Sequence, residues 1–178
     1  MSDAPLPLSV VNNPRPDRWL RFAEDRIVDL AVGKVEIGQG VLTALAQIAA
    51  EELDVPLDAI RVLSGDTDRA PDEGSTSSSL SIEVSGASVR LVSAEVRARF
   101  LDRLAQRLNC AAEELSVADG AFLRGGAPIG QDYWSFAPEV DLARHATGRA
   151  ARKPRDAYRV VGHDAPRIDL PAKMSGAA

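Results

Sequence analysis

The sequence predicts an α+β domain in which an antiparallel sheet packs against two main helices. Two stretches, about residues 41–53 and 80–108, repeat apolar residues at three- and four-residue steps, which is the spacing of a helix with one buried face. Short apolar and β-branched runs bounded by turn residues lie around these stretches and predict strands. With 178 residues, 45% of them hydrophobic, the chain is long enough to form one domain with a substantial core.

Four short segments are predicted to form the strands of this single sheet. Residues 19–22 and 27–36 flank a charged turn and are expected to pair with each other. Residues 60–63 give a third strand after the first helix. Residues 115–123 carry an Asp-Gly pair between two apolar runs, which is typical of a β-hairpin. The aromatic run at residues 133–136 is expected to anchor onto the core.

Both ends of the chain are predicted to be irregular, which divides it into three parts. Residues 1–17 carry four prolines and are expected to be an extended arm. Residues 18–140 would be the folded domain. Residues 141–178 would be a linker leading to a downstream module that this sequence lacks, because their first half is basic, small and polar.

Composition excludes several kinds of function. The formal net charge is −5 and the chain has no basic block, so no nucleic-acid partner is expected. The single cysteine, Cys110, cannot form an intramolecular disulfide or an iron–sulfur cluster, and is expected to be a buried thiol. Neither His145 nor His163 belongs to a nucleophile set, and no metal site is expected. No apolar run is long enough to span a membrane, so the cytoplasm is the expected compartment.

A glutamine flanked by two glycines precedes the first predicted helix. Gly38, Gln39 and Gly40 form a tight turn between a predicted strand and residues 41–53. Glycines let a ligand approach the backbone closely, and a helix start offers unpaired N–H groups with a partial positive charge. The pattern suits an anion or a polar cofactor, although a plain turn is the alternative, since Gly-Gln-Gly is neither a Walker loop nor a dinucleotide fingerprint.

A run of hydroxyl side chains stands at the start of the second helix. Residues 75–79 are all serine or threonine, and Ser81 follows. Such groups cap helices and can also bind anions. If the two helix starts converge, Thr76, Ser79 and Ser81 would join Gln39 in holding a phosphate or a heterocycle edge without a charged partner. A flexible linker or a simple helix cap are the alternatives.

The run from Gly33 to Leu91 closely resembles the molybdenum-cofactor-binding subunit of the xanthine dehydrogenase / aldehyde oxidase family, of the isoquinoline 1-oxidoreductase or nicotinate dehydrogenase type. The matching elements are EIGQG followed by Thr43, GDT at residues 65–67, GSTSSSLS at residues 74–81, and Ser-Gly-Ala at residues 85–87. The clear match covers about residues 30–125. A weaker likeness extends to the end, where DLPAKMSGAA resembles the opening of the family's next module.

The resemblance implies six cofactor-binding residues: Gly38, Gln39, Gly40, Thr76, Ser79 and Ser81. The first three would contact the molybdopterin and the other three its phosphate side. The family hydroxylates aromatic N-heterocycles or aldehydes with oxygen from water, and electrons leave through iron–sulfur clusters on a partner subunit. The implied cofactor is molybdopterin, or its cytosine dinucleotide form, bound only in the complete enzyme.

The chain departs from this family in its length. The family's subunits are several times longer, and the glutamate that acts as general base lies in a far C-terminal part that has no counterpart here. The chain is therefore expected to be an N-terminal piece of a catalytic subunit, without catalytic or metal-ligating residues and inactive alone. Its expected partners are the remaining part of that subunit and an iron–sulfur subunit. The alternatives are a non-catalytic fragment that dimerises or binds a partner through uncovered apolar surface, and a generic phosphate-binding domain.

Overall fold

A computed structural model describes residues 5–176 and confirms the α+β class. The helices are α1 Leu8–Asn12, α2 Val41–Leu53, α3 Ala87–Leu108, α4 Tyr133–Phe136 and α5 Leu170–Ser175. The strands are β1 Leu20–Phe22, β2 Val28–Val32, β3 Ile60–Ser64, β4 Leu115–Ala118, β5 Ala121–Arg124 and β6 Ala127–Asp132. No helix between residues 5 and 176 is both long enough and apolar enough to cross a membrane.

The prediction that one antiparallel sheet contains all the strands is wrong. Two separate three-stranded sheets form, with strand orders β1-β2-β3 and β4-β5-β6. The first sheet is mixed, because β2 and β3 run parallel, with Val28 opposite Ile60 and Val32 opposite Ser64. The reason is α2, which carries the chain back along the sheet, so that β3 starts at the same end as β2.

The second sheet contains the predicted hairpin and one additional strand. β4 and β5 pair antiparallel, with Val117 opposite Phe122 and the Asp-Gly turn between the strands. The additional strand, β6, was not predicted because it contains Pro128 and Gly130, which are uncommon inside strands. It occupies an edge of the sheet, where both residues are tolerated.

A buried carboxylate joins the three strands of the first sheet. All five residues of the central strand β2 are buried, including Asp29, which is 2% exposed. Arg21 on β1 and Arg61 on β3 stand directly opposite Asp29 in the strand register. Each arginine places a guanidinium nitrogen 2.6 Å from one carboxylate oxygen. The buried charge is therefore paired on both sides.

The two long helices bury the apolar faces that their spacing predicts. On α2 these include Leu45, Ala49 and Leu53, and on α3 Val92 and Val96, all at most 1% exposed. The regular helix α3 begins at residue 87, after a π-helical turn at residues 81–86. It ends at Asn109, which takes the predicted left-handed conformation with φ 50°.

An aromatic cluster connects α3 to the second sheet. Its members stack edge-on or offset around Phe100, and they are Phe22, Phe100, Phe122, Tyr133, Trp134 and Phe136. Tyr133 and Phe136 are buried, which confirms the anchor predicted for residues 133–136. The indole N–H of Trp134 donates to the carbonyl of Ile27 at 2.9 Å, which links the cluster to the first sheet.

Three other predicted features differ in the structure or stay untested. The expected extended arm contains α1, in which Ser9 and Val10 are buried, while residues 1–4 lie outside the described residues. Cys110 is half-buried and free. The division of the chain at residues 17 and 140 stays a prediction.

The segment after residue 140 is largely irregular, as predicted, but hydrogen bonds hold it against α2. We call residues 159–169 the strap. The carboxylate of Glu51, 2% exposed, lies at its start, and Oε2 accepts the backbone N–H groups of Arg159, Val160 and Val161 at 2.8, 2.7 and 3.0 Å. Lys153 Nζ lies 3.2 Å from the other oxygen of this carboxylate. A charged hydrogen-bond acceptor therefore fixes the beginning of the strap.

Two further side chains of α2 hold the rest of the strap. Gln47 Nε2 donates to the carbonyl oxygens of Val160 and His163 at 3.0 and 2.9 Å. Thr43 Oγ1 accepts the N–H of Ile168 at 3.0 Å. Because Thr43, Gln47 and residue 51 follow each other at four-residue steps, all three side chains lie on one face of the helix.

We expect Gly120→Ala to lower the free energy of unfolding by about 3 kcal/mol or more, because it combines backbone strain with overpacking. Gly120 has φ +77°, and a Cβ there would lie 2.5 Å from the ring of Trp134. Gly125 also has a positive φ, +57°, with open space around its Cβ position. Gly125→Ala is therefore the control for strain alone and should cost only about 1–2 kcal/mol. Urea denaturation measures both, and equal losses would contradict the contact with Trp134.

We expect Glu51→Gln to destabilise the chain by about 1–3 kcal/mol at pH 7, in a pH-dependent way. Burial raises the pKa of Glu51, but the N–H groups of Val160, Val161 and Arg159, together with Lys153, outweigh burial and lower this pKa from its ordinary value. A lowered folded-state pKa stabilises the fold above the unfolded pKa, about 4.3, and this contribution is lost as the pH falls through the folded value.

The difference in stability between the wild type and Glu51→Gln should therefore shrink as the pH falls below about 4.3. Chemical denaturation between pH 7 and pH 3 measures this difference. Glu113→Gln removes a charge from an exposed position and serves as the control. A Glu51→Gln difference that stays constant with pH would show that the carboxylate charge does not hold the strap.

Candidate cofactor site

Two loops that the sequence singles out lie side by side. The glycine loop, residues 33–40, joins β2 to α2, and the hydroxyl loop, residues 74–81, leads into α3. Lys34, 3% exposed, donates from Nζ to the carbonyl oxygens of Glu73 and Ser75, each at 2.8 Å. The N–H of Val35 donates to Thr76 Oγ1 at 2.9 Å. The two loops therefore meet through hydrogen bonds, at the first half of the glycine loop.

Gly33 allows this close approach. A Cβ at Gly33 would lie 2.5 Å from the carbonyl oxygen of Pro71 and 3.0 Å from the Cβ of Glu73. Its N–H donates to Glu73 Oε2 at 2.9 Å. A larger residue at position 33 would push the two loops apart.

The chain's own Glu36 binds several of the N–H groups that the sequence predicts to be unpaired before and at the start of α2. Glu36 Oε1 accepts the N–H groups of Gly38 and Gly40 at 2.9 and 2.7 Å, and Oε2 lies 3.4 Å from the N atom of Leu42. Gly38 and Gly40 have φ values of +107° and +75°, which turn their N–H groups towards the carboxylate. A negative charge at a helix start is favourable, so this carboxylate takes the place predicted for an external anion.

Arg167 of the strap completes the surroundings of Glu36. Its Nη2 lies 3.4 Å from Glu36 Oε1, and its Nη1 donates to the carbonyl of Gly38 at 2.9 Å. Burial raises the pKa of Glu36, but the N–H groups of Gly40, Leu42 and Gly38, together with Arg167, outweigh burial and lower this pKa from its ordinary value. Glu36 is therefore ionised at neutral pH.

The side chain of Gln39 is exposed and is oriented by its own loop. Its Oε1 accepts the N–H of Ile37 at 2.7 Å, and its Nε2 donates to the carbonyl of Val35 at 3.2 Å. A glutamine amide has two N–H donors and two acceptor lone pairs. One donor and one acceptor of Gln39 are therefore left to bind a ligand.

The hydroxyl groups predicted to bind phosphate differ in their exposure. Thr76 is half-buried and accepts the N–H of Val35, which leaves its own O–H free to donate. Ser79 is exposed and, like Ser78, has a positive φ, at 59° and 57°. Ser81 is half-buried and begins the π-helical turn before α3. Between residues 5 and 176, Lys34 and Val35 make the hydrogen bonds that connect the two loops, and the Gln39 side chain bonds only within its own loop.

A cleft of about 440 Å³ opens beside these loops. Gly33 and Val35 line it where β2 ends, residues 65–67 line it where β3 ends, and residues 70–74 close it. The carboxyl ends of parallel strands are a common place for ligands in sheets of this kind. The side chains of Asp66, Asp72 and Glu73 make this cleft acidic, which disfavours an anion inside it. Within the described part of the chain, no group of three or more His, Cys, Asp or Glu side chains could hold a metal ion.

Sequence reasoning missed two residues of this site, Glu36 and Arg167. Glu36 has a recognisable signal, because an acidic residue just before a helix stabilises its start. Arg167 has none, because it lies 131 residues further along the chain and belongs to a segment with no helical or strand pattern.

Comparison with known proteins gives consistent matches. The family described as "Molybdopterin cofactor-binding domain" matches residues 8–166. A nicotinate dehydrogenase subunit of Pseudomonas putida is 36% identical over 161 residues, which is 89% of this chain and 13% of that protein. The beta subunit of isoquinoline 1-oxidoreductase from Brevundimonas diminuta is 30% identical over 202 residues, which is 92% of this chain and 26% of that protein. The chain thus spans a small part of the length of these relatives.

Solved structures agree with these matches. CO dehydrogenase from Oligotropha carboxidovorans superposes with a TM-score of 0.58 and 26% identity, over 71% of this chain and 17% of that chain. Quinoline 2-oxidoreductase from Pseudomonas putida 86 shares the fold, with a TM-score of 0.55 and 24% identity over 67% of this chain and 16% of that chain. Because the family match covers most of the chain, this protein belongs to the molybdopterin cofactor-binding domain family.

Proposed function

We propose that this chain supplies part of the molybdopterin contacts of a molybdenum hydroxylase that acts on an aromatic N-heterocycle or an aldehyde. The observation that carries the proposal is the convergence of the glycine loop and the hydroxyl loop through Lys34 and Val35, within a chain of this family. The relatives named for nicotinate and isoquinoline support the heterocycle class.

The geometry of Gln39 fits the edge of a pterin. Pterins present alternating donors and acceptors in one plane, and the free N–H and lone pair of the Gln39 amide offer one of each. Contacts to Val35 and Ile37 hold the amide in place, so that little side-chain freedom is lost on binding. Gly38 and Gly40 have no side chain to obstruct such a ligand.

The phosphate side fits the hydroxyl loop better than the start of α2. Glu36 already binds the N–H groups of Gly38 and Gly40 and would repel a phosphate there. The O–H groups of Thr76, Ser79 and Ser81 can donate to phosphate oxygens without adding charge. In this proposal, the two loops therefore take different parts of one cofactor.

The chain's own role is to bind and orient the cofactor. When bound, a molybdopterin centre supplies the oxidative hydroxylation with oxygen derived from water. The general base, the electron path and the substrate pocket would come from the remaining part of the cofactor-binding subunit and from an iron–sulfur subunit. Relatives that are named as subunits of larger enzymes support such an assembly. The cytoplasm is the proposed compartment, and plain molybdopterin or its cytosine dinucleotide the proposed cofactor.

Exposed apolar side chains favour a second candidate, a non-catalytic fragment that dimerises or binds a partner. Ile37 on the glycine loop is 73% exposed and Met174 on α5 is 83% exposed. Leu80, Ile82, Ile168 and Leu170 add exposed apolar surface at the start of α3 and at the end of the chain. If the chain is part of a hydroxylase, the remaining part of the subunit would cover this surface. If it is a non-catalytic fragment, a second copy of the chain would cover it. Light scattering separates them, because a monomer that binds the cofactor contradicts the second.

We expect the double variant Gln39→Ala, Ser79→Ala to weaken cofactor retention about tenfold or more, because each change removes a hydrogen-bond partner worth about 0.5–1.5 kcal/mol. The test uses the complex reconstituted from this chain, the remaining part of the subunit and the iron–sulfur subunit. Molybdopterin content after gel filtration is the measurement.

The control is the double variant Gln106→Ala, Ser116→Ala, which removes the same residue types from exposed positions on α3 and β4. The control should keep its full cofactor content. Full content in the Gln39, Ser79 double variant would overturn the proposed contacts.

A further inference from the structure

We propose that Glu36 is the positioning residue of the Gly-Gln-Gly turn, and that the strap controls this positioning through Arg167. The turn is built around the carboxylate of Glu36, which receives the N–H groups of Gly38 and Gly40 on one oxygen. Without the Glu36 carboxylate, the N–H groups of Gly38 and Gly40, which both have positive φ, would have no acceptor between them. Their partial positive charges would then repel each other.

The position of Glu36 determines the position of Gln39. The amide of Gln39 binds the backbone at Val35 and Ile37, the residues on either side of Glu36. Any movement of the Glu36 backbone therefore moves both anchors of the Gln39 side chain. Glu36 itself does not present a group to the ligand in this arrangement, since its oxygens face the turn.

Arg167 connects this turn to the strap. Its guanidinium bridges Glu36 Oε1 and the carbonyl of Gly38, and its Nε and Nη2 also donate to the carboxylate of Asp169 at 3.0 and 2.7 Å. The neighbouring Ile168 is bound to Thr43 in the first turn of α2. The strap therefore contacts the helix start at two points. Arg167 binds the turn, and Ile168 binds the first turn of α2.

This arrangement has a consequence for ligand binding. While the strap is docked, Glu36 stays on the N–H groups of the turn, and Gln39 keeps one fixed orientation. When the strap undocks, Glu36 loses a cationic neighbour and the turn becomes mobile. The coupling between the strap and the turn is a property of this fold and does not need the cofactor. If the coupling is absent, the proposed function still stands. Only the effect of the coupling on cofactor loading rests on the proposed function.

The test is amide hydrogen exchange of the full 178-residue chain, followed by NMR at Gly38, Gly40 and Leu42. Arg167→Gln should raise exchange at these amides about tenfold, because a charge-assisted contact is lost. Thr43→Val, which removes the acceptor for Ile168 and keeps both Glu36 and Arg167, should raise it in the same direction. Arg155→Gln changes an exposed arginine outside the strap and is the matched control. Unchanged protection in α3 shows that each variant is folded.

Chemical rescue distinguishes a positioning role from general stability. Glu36→Ala should lose the protection of Gly38 and Gly40, and added formate or acetate should restore at least about half of it, because a small carboxylate can occupy the place of the lost side chain. If Glu36→Ala does not fold, Arg167→Gln and Thr43→Val decide the question, since both retain Glu36. The proposal is overturned if these two variants match the Arg155→Gln control, or if folded Glu36→Ala does not respond to carboxylate.

Discussion

A buried carboxylate requires hydrogen-bond partners, and this requirement shapes the part of the chain after residue 140. Glu51 and Glu52 on α2 and Glu95 on α3 are all at most 5% exposed. The segment after residue 140 supplies hydrogen-bond donors to all three. Backbone N–H groups of the strap donate to Glu51, the backbone N–H of Lys153 donates to Glu52, and Thr147 donates to Glu95. These hydrogen bonds fix a largely irregular segment to two helices.

The parts of the fold that depend on local sequence could be predicted, and those that depend on distant contacts could not. The faces of α2 and α3, the Asp-Gly hairpin and the left-handed Asn109 follow from spacing and from single residue types. The parallel pairing of β2 with β3 requires the path of the intervening helix. The contact of Arg167 with Glu36 joins a recognisable turn to a segment that shows no pattern, so no rule of sequence could pair them.

The candidate site shows the same limit. The turn and the hydroxyl run are recognisable in the local sequence, and they lie on adjacent loops. Their link is Lys34, a buried ammonium group that donates to two carbonyl oxygens, and lysine carries no sequence signal for that role. The expectation of free N–H groups fails at Gly38, Gly40 and Leu42, because Glu36 lies four residues before Gly40 and folds back onto the helix start.

The pairing of Asp29 with Arg21 and Arg61 has a consequence for how the first sheet assembles. A slip of β3 by one residue would move Arg61 away from Asp29 and turn its side chain to the other face of the sheet. The slipped sheet would then hold a half-neutralised charge among apolar residues, whereas a purely apolar β2 would tolerate the slip more easily. The carboxylate thus favours the native register of β3 over the slipped one once the sheet is buried beneath the helices.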